Sequence, residues 1–357
     1  MTHLTSRRSN ATETLWYTRC PVPTASSVAI SHGWLAREFA SDGIGVLSLR
    51  ASDDLGGREA HYTHDHPALF REGGAVPPLW ARAAGRDVRL VALGWIEQFE
   101  GLIARPGSGI VEPGQLRGKR VALARRPAAR IDFAAANVSR KIDLALRSVG
   151  LQPSDVEVVD VVTHDPYLTS AASSRDASLY TARENARAQT AELLALVRGD
   201  VDVVFTSGGY GLQLAATIDA EVVLDLMPRR DGFNPNHLRV LTVSGELLAE
   251  RPDLVTRYVA TLLRAAGWAA EHPDDTWRVV AAELGLAEEW ARLGHHPELV
   301  ARLAVEISDD LLSELQQRAD YFAAHGYLDG PVDVATWLDP APLTQARRLV
   351  EREPVRS

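Results

Sequence analysis

The sequence predicts an α/β protein made of two doubly wound lobes with a helical C-terminal region. Strand-like and helix-like segments alternate through the first two thirds of the chain, and the pattern becomes almost wholly helical from about residue 244. A chain of 357 residues with 46% hydrophobic content is also long enough to bury two separate cores. In sheets of this kind, ligands bind at the carboxyl ends of the strands.

The first elements form a strand–helix–strand unit. The segment TLWYT predicts a short strand, the segment 24–40 predicts a helix that Thr24 can cap, and IGVLSLR predicts a second strand ending near Arg50. The later elements predicted from the pattern are strands at 87–95, 120–124 and 156–162, a strand and turn at 199–209, and helices at 134–148 and 178–198. We expect the first lobe to comprise 12–103 and 226–357, and the second lobe to comprise 104–225.

Composition limits the partners. The net charge of −9 and the pI near 5.7, without a block of basic residues, argue against nucleic-acid binding. There is no secretory signal and no apolar run long enough to cross a bilayer, and a single cysteine fits a reducing compartment. We therefore predict a cytoplasmic protein that binds neither nucleic acid nor a membrane, and we expect it to be a monomer. Neither nucleotide-binding glycine motif is present, so we predict no cofactor.

Cys20 is the only cysteine of the chain, in the stretch YTRCPVP. It follows the first predicted strand and precedes a helix N-terminus, where the helix dipole and free backbone N–H groups favour a thiolate. The alternative is an inert, buried thiol, since free cysteine is among the most buried residue types.

A second stretch rich in polar groups is EAHYTHDHPALFREGGAVPPLW, residues 59–80. We interpret Asp65 and Pro67 as a helix start and Gly73 as the glycine that ends this helix, so that Arg71 falls in its last turn. A guanidinium beside free N–H groups of Gly73 and Gly74 can hold an oxyanion. The alternative is that Arg71 only complements the helix dipole.

Three histidines of the same stretch, His61, His64 and His66, suggest a metal site. Their spacing does not match the two-histidine helix motif of zinc proteases, and no matching cluster of carboxylates or cysteines occurs elsewhere in the sequence. We therefore predict no metal.

Taken together, CPVP at 20–23, HYTHDHP from His61 and Arg-Glu-Gly-Gly at 71–74 resemble the hydroxybiphenyl-sulfinate desulfinases. The segments LRGKRVALA, GDVDVVF and RPDLVTRYV also resemble sulfonate- and thiamine-precursor-binding proteins of transporters. The resemblance implies the two-lobed periplasmic-binding-protein type II fold. It also implies a cofactor-independent cleavage of the C–S bond of an aromatic sulfinate, which releases sulfite.

The resemblance also assigns roles to residues. It implies that Cys20 is the nucleophile or proton donor, that His61 orients or deprotonates the thiol or activates water, and that Arg71 binds the sulfinate. The substrate-binding residues that we predict are Gly73, Gly74, Arg19, His64, His66, Arg130, Ser207 and Gly208. We expect the Cys20 sulfur within roughly 8 Å of an Arg71 nitrogen, and we expect His61 to give the activity a pH dependence near neutrality.

The chain departs from the desulfinase pattern in three places. ASDDLGGRE is the expected insertion between Cys20 and His61, His66 stands where a glutamine is expected, and TSGGYG at 206–211 is small where a biphenyl pocket needs aromatic walls. These departures concern the substrate more than the chemistry. The alternative function is a non-catalytic binding protein for an organic sulfonate or sulfinate, in which Arg71 and Gly74 hold the ligand and Cys20 is incidental.

Overall fold

The computed structural model describes residues 14–52, 55–164, 189–227 and 237–352. Its strands are β1 Thr14–Arg19, β2 Gly45–Ser48, β3 Leu69–Gly73, β4 Val88–Ile96, β5 Glu100–Ala104, β6 Arg120–Arg125, β7 Glu157–Val162, β8 Val203–Ser207, β9 Glu221–Asp225 and β10 His237–Ser244. Its α-helices are α1 Ala25–Ser31, α2 Trp34–Ala40, α3 Leu55–Thr63, α4 Val76–Ala83, α5 Phe133–Ser148, α6 Thr190–Arg198, α7 Gly208–Thr217, α8 Gly245–Glu250, α9 Pro252–Glu271, α10 Pro273–Leu284, α11 Glu288–Leu293, α12 Asp309–Ala324, α13 Val334–Trp337 and α14 Ala341–Glu351.

The strands form two mixed sheets of five strands each. The first sheet has the order β2-β1-β3-β10-β4, and the second has the order β7-β6-β8-β5-β9. In the first sheet β1 runs parallel to β2 and β3, whereas β10 runs antiparallel to β3 and β4. Strand β10 therefore lies between β3 and β4 and completes a sheet whose other strands come from the first hundred residues.

Both faces of the first sheet are covered, as a doubly wound lobe requires. Successive residues of one strand point to opposite faces, so Leu241 joins the core under α9 whereas Val240 joins the core under α12. The second core also contains Trp337, which is fully buried. Each such large side chain stabilises the fold by about 1.5–3 kcal/mol. These observations confirm the predicted fold class.

The division into lobes follows from the change of sheet along the chain. The chain leaves the first sheet after β4 and returns to it at β10, and β5 to β9 lie in the second sheet. We propose the same division for the folded chain as the sequence predicts, with 12–103 and 226–357 in one lobe and 104–225 in the other. In the described ranges, no helix has the length and apolar content needed to cross a membrane.

Two local predictions are corrected by the structure. The helix expected over 24–40 is two helices, because Gly33 adopts the left-handed region with φ of 67° between them. The helix expected from Asp65 to Gly73 is wrong, since Leu69–Gly73 is the central strand β3. The end of the expected insertion ASDDLGGRE belongs to α3, which carries His61 in its last turn, and the insertion itself stays a prediction. The N-terminal part of the helix expected over 178–198 lies outside the described residues.

Candidate active site

The candidate site lies at the carboxyl ends of β1 and β3, two neighbouring parallel strands. Arg19 is opposite Glu72 in the register of this pair, so Cys20 comes next to Gly73. The backbone N–H of Cys20 donates to the carbonyl of Glu72 at 3.2 Å, which extends the strand pairing to the cysteine. The sheet thus fixes the half-buried thiol by its backbone.

Cys20 and Arg71 approach each other over Gly73. A β-carbon built on Gly73 would lie 2.6 Å from the Cys20 Sγ and 3.4 Å from the Arg71 Nη2. The sum of these two distances is the largest separation that the Cys20 Sγ and the Arg71 Nη2 can have. This sum is below the separation of about 8 Å expected for two groups that bind one sulfinate. The thiol therefore has a charged neighbour, and its reactivity stays a prediction.

Arg71 is fixed by its own surroundings. It is 1% exposed, its Nε donates to the carbonyl of His61 at 3.0 Å, and its Nη1 donates to the carbonyl of Gly74 at 3.0 Å. Because Arg71 lies in a central strand, the alternative of a charge that complements a helix dipole is wrong. These hydrogen bonds orient the guanidinium before any ligand binds, and they link it to the histidine and to the second glycine.

His61 is fully buried and bound to β1. Its Nδ1 and the hydroxyl of Thr18 are 2.9 Å apart. Burial lowers the pKa of His61 well below its ordinary value, and the positive charge of Arg71 and the neighbouring His64 lower that pKa further. The lowered pKa favours a neutral His61 at pH 7, in contrast to the expected titration near neutrality.

The other two histidines of the segment have different partners. The Nδ1 of His64 lies 3.2 Å from the carbonyl of Tyr62, and burial followed by the charge of Arg71 lowers the pKa of His64 to about 3. His66 accepts a hydrogen bond from the N–H of Ala68 at 3.2 Å. In the part of the chain that the structure describes, no group of three His, Cys, Asp or Glu side chains is placed to hold a metal ion. The absence of a metal stays a prediction.

Arg19, which we predicted to bind substrate, contacts helices α1 and α10 instead. Its Nε donates to Ser26 at 3.1 Å, its Nη2 donates to the carbonyl of Val22 at 3.0 Å, and its Nη1 forms an ion pair with Glu283. Successive residues of a strand point to opposite faces, so Thr18 reaches His61 and Arg19 reaches the helices. Arg19 therefore stabilises the lobe from behind the site.

The remaining predicted residues make interlobe or packing contacts. Arg130 is exposed and pairs with Glu59 of α3 at 3.1 Å. Ser207 is the N-cap residue of α7, and the N–H of Gly208 donates to the carbonyl of Phe99 at 2.7 Å. The glycine that follows Gly208 packs directly against the backbone of Gly294. The glycine-rich turn thus permits a close backbone contact, and its role in substrate binding stays a prediction.

Sequence reasoning missed Arg239, on β10 opposite the segment that carries Gly74. It is 4% exposed, and its Nη1 lies 3.6 Å from the position of a β-carbon on Gly74. Burial lowers the pKa of Arg239 to about 10, and this effect is partly offset by Cys20 and by Glu100 of the second sheet. The signal in the sequence was an arginine between Leu238 and Val240, near the start of the strand HLRVLTVS.

The fold and the site define a two-lobed, binding-protein-like α/β protein that carries a thiol beside a buried arginine. A family model described as NMT1/THI5 like matches residues 73–276. The chain is 30% identical over 359 residues to the 2'-hydroxybiphenyl-2-sulfinate desulfinase of Rhodococcus erythropolis, with 92% of each chain covered. The chain therefore belongs to the NMT1/THI5-like family and to the family of this desulfinase.

Solved structures agree with this assignment. A cysteine-to-serine variant of DszB in complex with biphenyl-2-sulfinic acid is 26% identical, with a TM-score of 0.74 and coverage of 95% of this chain and 99% of that chain. The periplasmic aliphatic sulphonate binding protein SsuA of Escherichia coli is 17% identical, with a TM-score of 0.63 and 92% of each chain covered. At that identity the second likeness concerns the fold alone.

Proposed function

We propose that the protein is a cofactor-independent desulfinase that cleaves the C–S bond of an aromatic sulfinate and releases sulfite. The observation that carries this proposal is the shared space over Gly73, where the Cys20 sulfur and the Arg71 guanidinium meet. The desulfinase relative and the DszB complex with biphenyl-2-sulfinic acid support the reaction type. The carbon skeleton of the substrate is a separate question, because the glycine-rich segment at 206–211 has Tyr210 as its one aromatic residue.

Arg71 and Gly74 would bind the sulfinate. A sulfinate is a compact anion with two oxygens, and a guanidinium can donate to both of them. The backbone N–H of Gly74 would complete the oxyanion site, and neither donor has to change its protonation state. The same proposal includes further substrate-binding residues, each of which would contribute less to binding than Arg71 and Gly74. They are Gly73, His64, His66, Arg130, Ser207 and Gly208.

Cys20 would carry the chemistry by one of two balanced routes. In the first, the thiolate attacks sulfur, the aryl carbon leaves with a proton, and water releases hydrogen sulfite from the Cys20–SO2⁻ adduct and restores the thiol. In the second, the thiol protonates the aryl carbon directly, and the SO2 that leaves is hydrated to hydrogen sulfite. Both routes consume one water and give one arene and one hydrogen sulfite.

The role of His61 follows from its neutrality. A neutral imidazole can accept a proton from the thiol or from water, whereas an imidazolium cannot. The hydroxyl of Thr18 fixes the ring through Nδ1, so the other nitrogen, Nε2, is the one that would exchange the proton. Burial, together with the charge of Arg71, favours the neutral ring, and the same arginine would bind the substrate.

A non-catalytic binding protein is the second candidate, and the buried, oriented Arg71 favours it to the same degree as an enzyme. In that case Cys20 would take no part. A cytoplasmic location and a monomeric state stay predictions under either function.

Titration calorimetry with an aryl sulfinate, together with a sulfite-release assay, separates the two candidates when wild type is compared with Cys20→Ser. We expect wild type to release sulfite, and we expect Cys20→Ser to bind within a few-fold of wild type without turnover. Tight binding by wild type without any sulfite release would establish the binding protein. A Cys20–SO2⁻ adduct detected by mass spectrometry in a quenched single turnover would select the first route.

A further inference from the structure

Arg239 is a buried cation that the reaction proposed above does not use. Its Nε and Nη2 atoms are buried, and within residues 14–52, 55–164, 189–227 and 237–352 they have no hydrogen-bond partner. A guanidinium has five N–H donors and does not lose its proton at physiological pH. Burying such donors without acceptors is costly, so a site that keeps them is expected to receive an acceptor from a ligand.

The position of Arg239 is close to the oxyanion site. Arg71 lies over Gly73, and Arg239 lies over the next residue, Gly74. Because Gly73 and Gly74 are consecutive, their α-carbons are about 3.8 Å apart, and the two guanidiniums lie near adjacent positions of the chain. Gly74 follows the glycine against which the Cys20 Sγ packs, so Arg239 also lies near the residue that adjoins the thiol.

The carboxylates near Arg239 have other partners. Glu100 forms a buried ion pair with Lys141, and Glu72 accepts hydrogen bonds from Thr24 and Ser26. Each of these carboxylates is therefore engaged by groups other than Arg239. The guanidinium of Arg239 can therefore pair with a second anionic group of a ligand whose first anionic group is bound by Arg71.

We infer that Arg239 binds a second anionic group of the substrate, so that the preferred ligand is an aryl sulfinate with a carboxylate close to its sulfinate. This inference rests on the proposed function, because the sulfinate occupies the Arg71 site. It deepens that function by naming a substrate class, a dianion with both charges on neighbouring ring positions. One guanidinium would hold each anion, and the ring would extend toward the second sheet.

Three ligands test the inference: benzenesulfinate, 2-carboxybenzenesulfinate and 2-nitrobenzenesulfinate. The nitro compound is the matched control, since the nitro group has nearly the size and shape of a carboxylate without its charge. We expect wild type to bind the carboxylate compound about tenfold or more tightly than the nitro compound. Arg239→Met should abolish this preference and leave the affinity for benzenesulfinate within a few-fold, whereas Arg239→Lys should retain part of the preference.

The outcomes separate this inference from the proposed function. Equal affinities of wild type for the carboxylate and nitro compounds, with sulfite released from both, would overturn the inference and leave the desulfinase intact. A preference that Arg239→Met removes, without any sulfite release, would support the second anion site and contradict the desulfinase. If Arg239→Met fails to fold, Arg239→Gln serves the same purpose, and an unchanged preference in that variant would overturn the inference.

Discussion

The Cys20 sulfur lies 2.6 Å from the position that a β-carbon on Gly73 would occupy, a distance at which no side chain fits beside the thiol. The glycine is required here for space, since its φ is not in the left-handed region. Parallel pairing of β1 and β3 creates this contact, and Arg71 on β3 faces the same space. The strand pairing therefore places the thiol and the anion-binding group together.

Gly73→Ala should displace the thiol and reduce turnover at least 100-fold, because the methyl group occupies the space of the sulfur; the size follows from the ~100-fold loss for a misplacement of about 1 Å. Gly74→Ala is the matched control, since its β-carbon would lie 3.6 Å from the Arg239 Nη1, in ordinary contact. Steady-state kinetics of both variants measure the difference. Equal losses in the two variants would contradict the close contact over Gly73.

Arg71→Met should weaken sulfinate binding by about 2–5 kcal/mol, because the anion loses its principal partner in a desolvated site. Arg19→Met is the comparison, since Arg19 is equally buried but forms an ion pair with Glu283 on the opposite side of the sheet. It should cost about 3–5 kcal/mol of the free energy of unfolding by leaving a buried carboxylate unpaired. Calorimetry measures the sulfinate affinity of the two variants, and urea denaturation measures their free energy of unfolding. A loss of affinity in Arg19→Met at unchanged stability would show that Arg19 binds the sulfinate.

His61→Gln should lower kcat by a factor of about 10² to 10⁴, the usual contribution of a general acid–base. Because burial and Arg71 hold the pKa of His61 well below its ordinary value, the loss should be the same from pH 6 to pH 8. The check is a comparison of the pH profiles of kcat for wild type and the variant. A wild-type inflection near pH 6.5 that the substitution removes would show that His61 titrates there.

The free energy of unfolding should fall as the pH falls below about 6.5. Burial lowers the pKa of His64 to about 3 and of His295 to about 4. Below pH 6.5 these histidines are therefore protonated in the unfolded chain but stay neutral in the folded chain. The contribution of each neutral histidine to the free energy of unfolding is fully present above pH 6.5 and is lost as the pH falls toward its folded-state pKa. Each histidine should cost about 2 kcal/mol between pH 6.5 and pH 5.

Urea denaturation at pH 7 and pH 5 measures this loss for His295→Gln and, as the control, for exposed His325→Gln. Only His295→Gln should reduce the difference in unfolding free energy between the two pH values. An undiminished difference in that variant would show that His295 is not kept neutral by burial.

Hydrophobic periodicity was sufficient to predict the α/β fold, and the motifs that resemble the desulfinases predicted that Cys20 and Arg71 lie close together. The strand Leu69–Gly73 was missed because Asp65, Pro67 and the glycine pair are typical of helix ends, whereas its pairing depends on β1 and β10, which are distant in sequence. Tertiary pairing outweighs such local signals.

The assignment of Arg19 and the omission of Arg239 have related causes. Arg19 is adjacent to Cys20 in sequence, but the alternation of a strand directs it to the other face. Arg239 is more than two hundred residues from Cys20, and only the register of β10 against β3 brings the two together. Register depends on the assembled sheet, and a single charged residue within an apolar strand does not reveal its neighbours.

The central claim is that Cys20 and Arg71 form a desulfinase site, and a reaction of an aryl sulfinate with the protein in D2O tests it most directly. The arene and the sulfite are quantified, and the deuterium at the carbon that bore sulfur is located by NMR. We predict one sulfite per arene, one deuterium at that carbon, and no product with Cys20→Ser. Binding of the sulfinate by wild type, with no more arene or sulfite than the Cys20→Ser variant gives, would contradict the account.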